Sequence, residues 1–273
     1  MKAKQYEQLE FTDDFMFSYV MCNNEELCRA LLENILCISI ERLEFLSGQE
    51  TIDSYPDAKG VRLDVYLKSS DKVFNVEMQT VKKLDLAQRS RYYQSQMDTS
   101  MLQKGESYKA LADNYIVFIC MFDPFDKGEY IYHFKNMCME VPELALSDGS
   151  HKIFVNVRGE KGHISCELKE FLDYLKAPEK VEEVQKCNYL VSNVVREVIK
   201  GRRNKEWRLI YMTLMTRYNE LLAEGREEGR EEGEKLFANL TKILLREGMA
   251  EELNRAIEDK AYRDQLYHQY GIF

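Results

Sequence analysis

The stretch Val61 to Gln79, VRLDVYLKSSDKVFNVEMQ, constrains this chain more than any other, because two runs of alternating side chains flank a short polar turn. Leu63, Val65 and Leu67 point one way and Arg62, Asp64 and Tyr66 the other. After the turn, Phe74, Val76 and Met78 share one face, and Val73, Asn75, Glu77 and Gln79 share the opposite face. Period-2 runs on either side of Ser69, Ser70, Asp71 and Lys72 predict a β-hairpin with a four-residue loop. Pairing Lys68 with Val73 sets Asp64 across from Glu77, with side chains roughly 5 Å apart on one face. Two carboxylates that close repel. Either one is protonated or a cation sits between them, and a divalent metal with oxygen ligands is the usual occupant.

The flanks of the hairpin predict its frame. Apolar residues from Phe15 to Leu36 recur at three- and four-residue spacings, which predicts helix over residues 11 to 37, capped by Thr12 or Asp13 and interrupted at Asn23 and Asn24. After the hairpin, Leu84 to Lys104 reads as a long helix closed by Gly105. Its first turns follow Gln79 closely, which puts Arg89, Arg91, Tyr92 and Tyr93 near the carboxylate pair. Tyr115 to Phe122, YIVFICMF, is a continuous apolar run of the kind that forms a strand covered on both faces. A strand, a long helix and a buried strand make a crossover unit, so a mixed sheet with helices on its faces is expected. Glu129 to Phe134 and Ile153 to Val157 add short strands, and Glu167 to Lys176 an amphipathic helix ended by Pro178.

Beyond Pro178 the patterns are helical only: Val181 to Lys200, Trp207 to Glu224 and Leu236 to Glu247. The expected organisation is one domain over residues 1–177 and a helical region over 178–273. Gly225, Gly229 and Gly233 repeat every fourth residue in EGREEGREEGE, where interior glycines cost roughly 3 kcal/mol relative to alanines. That cost predicts a flexible tether in preference to a close helix-packing face.

Composition excludes several classes. The longest apolar run is far too short to span a bilayer, and the first ten residues lack the apolar core of a signal peptide, so a cytoplasmic protein without membrane partners is expected. Seven scattered cysteines without a CxxC pair indicate neither a disulfide framework nor a zinc site, and the four histidines are isolated. The net charge of −9 argues against a simple nucleic-acid coat, yet Arg196 to Arg208 carries six basic residues against two acidic ones, with Trp207 among them. That stripe is read equally as a solvated helix face or as a phosphate contact.

Several segments occur in a specific order: DDFMFSYVM from Asp13, KGVRLDVYL from Lys59, FNVEMQT from Phe74, RSRYYQSQMD from Arg89, KGESY from Lys104, FDPFDKGEY from Phe122, KEFLDYL from Lys169, and the GREEG repeat. In this order the chain resembles the recombination-promoting nuclease and transposase family, a branch of the PD-(D/E)XK nucleases. The resemblance implies an α/β, restriction-endonuclease-like mixed sheet flanked by helices, with a helical C-terminal extension. It implies a DNA endonuclease associated with recombination or mobile elements. Asp64, Glu77 and the backbone carbonyl of Met78 would hold Mg2+, for which Mn2+ would substitute, and Gln79 would orient the attacking water. Two positions depart from the wider pattern: Leu63 replaces the proline before the first acid, and Gln79 stands where lysine is usual, although this branch commonly carries glutamine there. A slower or more metal-dependent enzyme is the expected consequence.

Further candidates are Lys59, Arg89 and Arg91 for phosphate, Tyr93 for stacking on or bonding to substrate, and Glu33 as an additional acid from the second helix. Arg89 has the alternative of simply pairing with Glu77, and Tyr93 of packing in the core. Two other functions stay open. One is a non-catalytic nuclease-like module that binds DNA or protein through Trp207, the basic stripe and the glycine repeat; the other is a structural interaction protein. The C-terminal helices are candidates for self-association.

Overall fold

The computed structural model describes residues 4–47, 51–52, 61–62, 64–102, 104–180 and 188–272. The first helical segment is two helices, α1 (Asp14–Cys22) and α2 (Glu25–Leu36), divided where the sequence places Asn23 and Asn24. Asn24 caps α2, its side-chain oxygen accepting from the Leu27 amide at 3.0 Å, while Glu25 and Glu26 occupy the first turn, where carboxylates complement the helix dipole.

Strand β1 (Glu44–Ser47) follows, then a short antiparallel ladder of β2 (Thr51–Ile52) with β3 (Val61–Arg62). The hairpin is β4 (Val65–Ser69) and β5 (Lys72–Gln79), paired antiparallel with Lys68 opposite Val73. Its loop is tighter than the polar run implied. Ser69 pairs with Lys72, so only Ser70 and Asp71 turn the chain, with Ser70 at φ +48°. Helix α3 (Leu86–Met101) crosses over to β6 (Asp113–Cys120), which lies parallel to β5. α3 is shorter at both ends than the Leu84–Lys104 pattern: it runs into extended backbone at Leu102, and Gly105, at φ +95°, lies beyond its end.

Strands β7 (Ile131–Phe134) and β8 (Ser150–Asn156) complete a six-stranded mixed sheet in the order β1-β4-β5-β6-β8-β7. Tyr66, Val73, Ile116, Phe118 and Phe154 form one core with Leu86 and Met97 of α3. Phe74, Val76 and Met78, on the other face of β5, are buried as well. Helix α4 (Cys166–Lys176) and α5 (Tyr189–Arg203) pack with α1 and α2, and α1 packs against β4. This is the mixed α/β architecture expected.

The contacts divide the chain into two compact units, Met1–Arg208 and Leu209–Phe273. The division falls later than the composition change at Pro178, because α5 buries Leu190, Val191, Val194 and Val198 and packs on α1, α2 and α4. The C-terminal patterns also merge. A single helix, α6 (Lys205–Glu247), runs through the glycine repeat, which is neither a loop nor a tight packing face: a Cβ on Gly225, Gly229 or Gly233 would meet nothing within 4 Å. Arg230 pairs with Glu227 and Glu234 across the repeat and supports the helix there. In the second unit, α7 (Ala250–Glu258) and α8 (Lys260–Tyr270), absent from the sequence reading, share a small core of Leu240, Leu244, Ala256, Leu266 and Ile272. No helix among the described residues is long and apolar enough to cross a membrane.

Candidate active site

Where β5 ends, its inward-facing residues leave the apolar core and become polar. Asn75, Glu77 and Gln79 alternate on the face that α3 covers, and all three are buried, Glu77 to 2% exposure. Val65 pairs with Val76, and the residues just beyond that pair, Asp64 and Glu77, line one cavity. Asp64 Oδ2 accepts from the Met78 amide at 3.4 Å, and its carbonyl contacts Cys22 Sγ at 3.7 Å, so the end of α1 helps hold the strand start that carries the acid. Burial and then the charge of Asp64 push the Cys22 thiol up to about 11.

Asp64, Glu77, Met78, Gln79, Arg89 and Tyr93 line one cavity of about 280 Å³. Arg89 and Tyr93 lie one helical turn apart on α3 and so present to the same side. The Arg89 guanidinium donates to Gln79 Oε1 at 3.0 Å, to Glu77 Oε2 at 3.2 Å and to Tyr93 Oη at 2.7 Å. Glu77 also accepts from Asn75 Nδ2 at 3.1 Å and from Gln79 Nε2 at 3.4 Å. Burial first, then the charge of Asp64, pushes the Glu77 carboxyl up to about 8; Asn75 and Arg89 oppose that rise, and Asp14 adds to it. Burial and the nearby Glu77 charge also raise the Tyr93 phenol.

The remaining candidates fall elsewhere. Arg91 is exposed on α3, because two residues advance a helix by about 200° and turn it away from Arg89. Glu33 does not line the cavity: its carboxylate accepts from the Ile40 amide at 2.8 Å and fixes the segment leaving α2. Tyr92 packs against the core beneath α3. Lys59 and Leu63 lie outside the described residues. Two residues outside the expected set also line the cavity: Asp14, which starts α1, and Lys83, from the segment between β5 and α3. Asp14 reads in sequence as an ordinary first-turn acid, and only the packing of α1 against β4 brings it to the carboxylate pair.

The donor set suits a small, hard cation, since carboxylates with a bordering backbone are what Mg2+ takes while keeping several waters. Three carboxylates, Asp14, Asp64 and Glu77, border the cavity together with two cations, Lys83 and Arg89, and a divalent ion would offset the remaining negative charge beside the desolvated Glu77. Among the described residues no three His, Cys, Asp or Glu side chains are already gathered as a metal cluster, so an ion here would rely on few protein ligands.

Searches of curated proteins and of solved structures returned no significant match. A family model described as PD-(D/E)XK nuclease family transposase matches residues 11–201, which include every residue lining the acidic cavity. The chain therefore belongs to the PD-(D/E)XK nuclease family transposases, and its six-stranded mixed sheet flanked by helices is consistent with the PD-(D/E)XK fold.

Proposed function

We propose that this chain is a DNA endonuclease that depends on a divalent metal, with Mg2+ as the cation, and that it acts in recombination or in the movement of DNA elements. The observation that carries this reading is the state of Glu77, a carboxylate 2% exposed whose ionisation is opposed by burial and by Asp64. A fold tolerates such a charge when a cation or a proton compensates it.

Asp64 and Glu77, with the Met78 carbonyl, would hold the ion. When bound it would lower the pKa of a water and neutralise charge developing on the phosphate. Gln79, fixed by its bond to Arg89, would orient the water through its side-chain amide. The guanidinium of Arg89 is already positioned by Tyr93 and Gln79, and on release of its bond to Glu77 it would meet a phosphate oxygen. Tyr93 serves in this reading to hold Arg89, while Lys83 offers a second, exposed cation at the cavity edge. The helices from residue 178 onward are proposed to serve target recognition or self-association.

One observation favours a second reading, a nuclease-like module that binds without cutting: Arg89 occupies both Glu77 and Gln79. Plasmid nicking by the purified protein with and without Mg2+ separates the two. The endonuclease reading expects metal-dependent nicking that Asp64→Ala and Glu77→Ala each abolish. Equal nicking by all three proteins would remove these residues from catalysis, and DNA binding with no nicking and no metal uptake would favour the module.

A further inference from the structure

The basic run from Arg196 to Arg208 takes no part in the acidic cavity, and the structure sorts its members. Arg202 Nε donates to the Leu9 carbonyl at 2.7 Å and Arg208 pairs with Glu7 at 3.0 Å, so both tie down the N-terminal segment. Lys200 pairs with Glu197 at 2.8 Å, Arg196 reaches Asn193 at 3.3 Å, and Arg203 is exposed. Arg196, Lys200, Arg203 and Trp207 border a second cavity of about 540 Å³, against about 280 Å³ for the acidic one. Three cations face a single carboxylate, Glu197, in a chain whose net charge is −9.

Trp207 is a built wall of this cavity. A Cβ on Gly201 would lie 2.8 Å from the indole Cζ3 and 2.9 Å from Met16 Sδ, so glycine lets the start of α6 bring the indole against α5. The indole meets the Tyr19 ring at 5.2 Å, and Tyr19 stacks on Phe15 at 4.3 Å. Phe15 follows Asp14, which lines the acidic cavity. A row of three rings therefore runs from the basic cavity along α1 to the helix end that carries Asp14.

We propose that the basic cavity binds an unpaired nucleotide of a DNA strand, its base against Trp207 and its flanking phosphates on Arg196 and Arg203. The proposal rests on the reading of the chain as a DNA-cutting protein and names a strand contact outside its acidic cavity. An aromatic wall beside cations matches the way single strands are held, by base stacking and backbone attraction together. Duplex DNA brings phosphates but keeps its bases stacked inside. An acidic peptide brings charge but no flat ring to set against the indole.

Trp207 is the only tryptophan in the chain, so its emission reports this cavity directly. The test titrates the full-length protein, in EDTA to prevent metal-dependent cleavage, with a short oligothymidylate. The expected result is quenching of Trp207 emission, weakened about tenfold in apparent affinity by Arg196→Glu combined with Arg203→Glu at unchanged unfolding temperature. Arg203→Glu alone, at an exposed position, should act in the same direction. Duplex of equal length and polyglutamate should compete poorly. Absence of quenching, quenching untouched by charge reversal, or equal competition by duplex or polyglutamate would overturn the proposal. Plasmid nicking measured in parallel keeps the two readings apart: quenching by an inert protein retains this site and removes the nuclease assignment, whereas nicking without quenching does the reverse.

Discussion

Arg89 on α3 spans Gln79 and Glu77, donating to the first at 3.0 Å and to the second at 3.2 Å. The hairpin thus ends on a neutral amide, and the crossover helix supplies the fixed positive charge beside it. A charge delivered through one guanidinium makes the site dependent on a residue that the hairpin sequence does not contain.

Replacing Arg89 by alanine should therefore slow plasmid nicking by about a hundredfold, the usual cost of removing one preorganised donor from a developing charge. Arg89→Lys should fall between, since an ammonium cannot span both partners. Adding Gln79→Lys to Arg89→Ala returns a cation to the position where Arg89 meets Gln79, and recovery of part of the rate is expected. Unchanged rates in Arg89→Ala would show that the guanidinium only pairs with Glu77.

Glu77 binds its proton more tightly in the fold than an exposed glutamate does, because burial and Asp64 oppose its ionisation. A cation must displace that proton, so metal affinity should rise with pH through the range below about 8, by about tenfold per pH unit where one proton is released. Calorimetry in buffers of different ionisation enthalpy would register the released proton. The linkage to stability follows the same sign. With its folded pKa raised, Glu77 favours the metal-free fold most at pH below the ordinary glutamate range, and that contribution is lost as pH rises through the raised value.

Glu77→Gln keeps the shape of the buried side chain and removes its charge. Thermal unfolding of the metal-free protein above pH 8 should shift upward, since the substitution relieves an ionisation the fold opposes, while metal binding is lost. A lowered unfolding temperature would mean that the pairing with Arg89 outweighs the burial and repulsion.

Gly201→Ala should destabilise the first unit by about 1–3 kcal/mol, because the added methyl meets Trp207 and Met16 inside contact distance. Urea unfolding followed by Trp207 emission reads both the loss and the displaced indole. The glycines of the repeat should behave in the opposite way. Alanine at Gly225, Gly229 and Gly233 meets open space and should strengthen α6, by roughly 1 kcal/mol per site, seen as raised helicity and melting temperature. A loss of stability there would reveal a packing partner at the repeat.

The sequence made the hairpin legible because both of its strands alternate, and alternation fixes register wherever a face is buried; the pairing of Lys68 with Val73 follows from it, and Asp64 and Glu77 lie on one cavity. The parallel crossover to β6 was legible for a similar reason, an unbroken apolar strand after a long helix. Asp14 was hidden because its role comes from α1 packing on β4, which periodicity does not encode. Glu33 looked available for want of that same information, and it is spent on the Ile40 amide. The repeat misled for a different reason: glycine propensity predicts fraying, whereas the bonds of Arg230 to Glu227 and Glu234 support a helix that continues on both sides.

Whether Asp64 and Glu77 share a divalent cation decides the endonuclease reading. A crystal soaked in manganese and measured at the manganese absorption edge tests this directly. The expected result is an anomalous peak between the two carboxylates, with Arg89 withdrawn from Glu77 Oε2. No peak there, with Arg89 still seated on both Glu77 and Gln79, would contradict it.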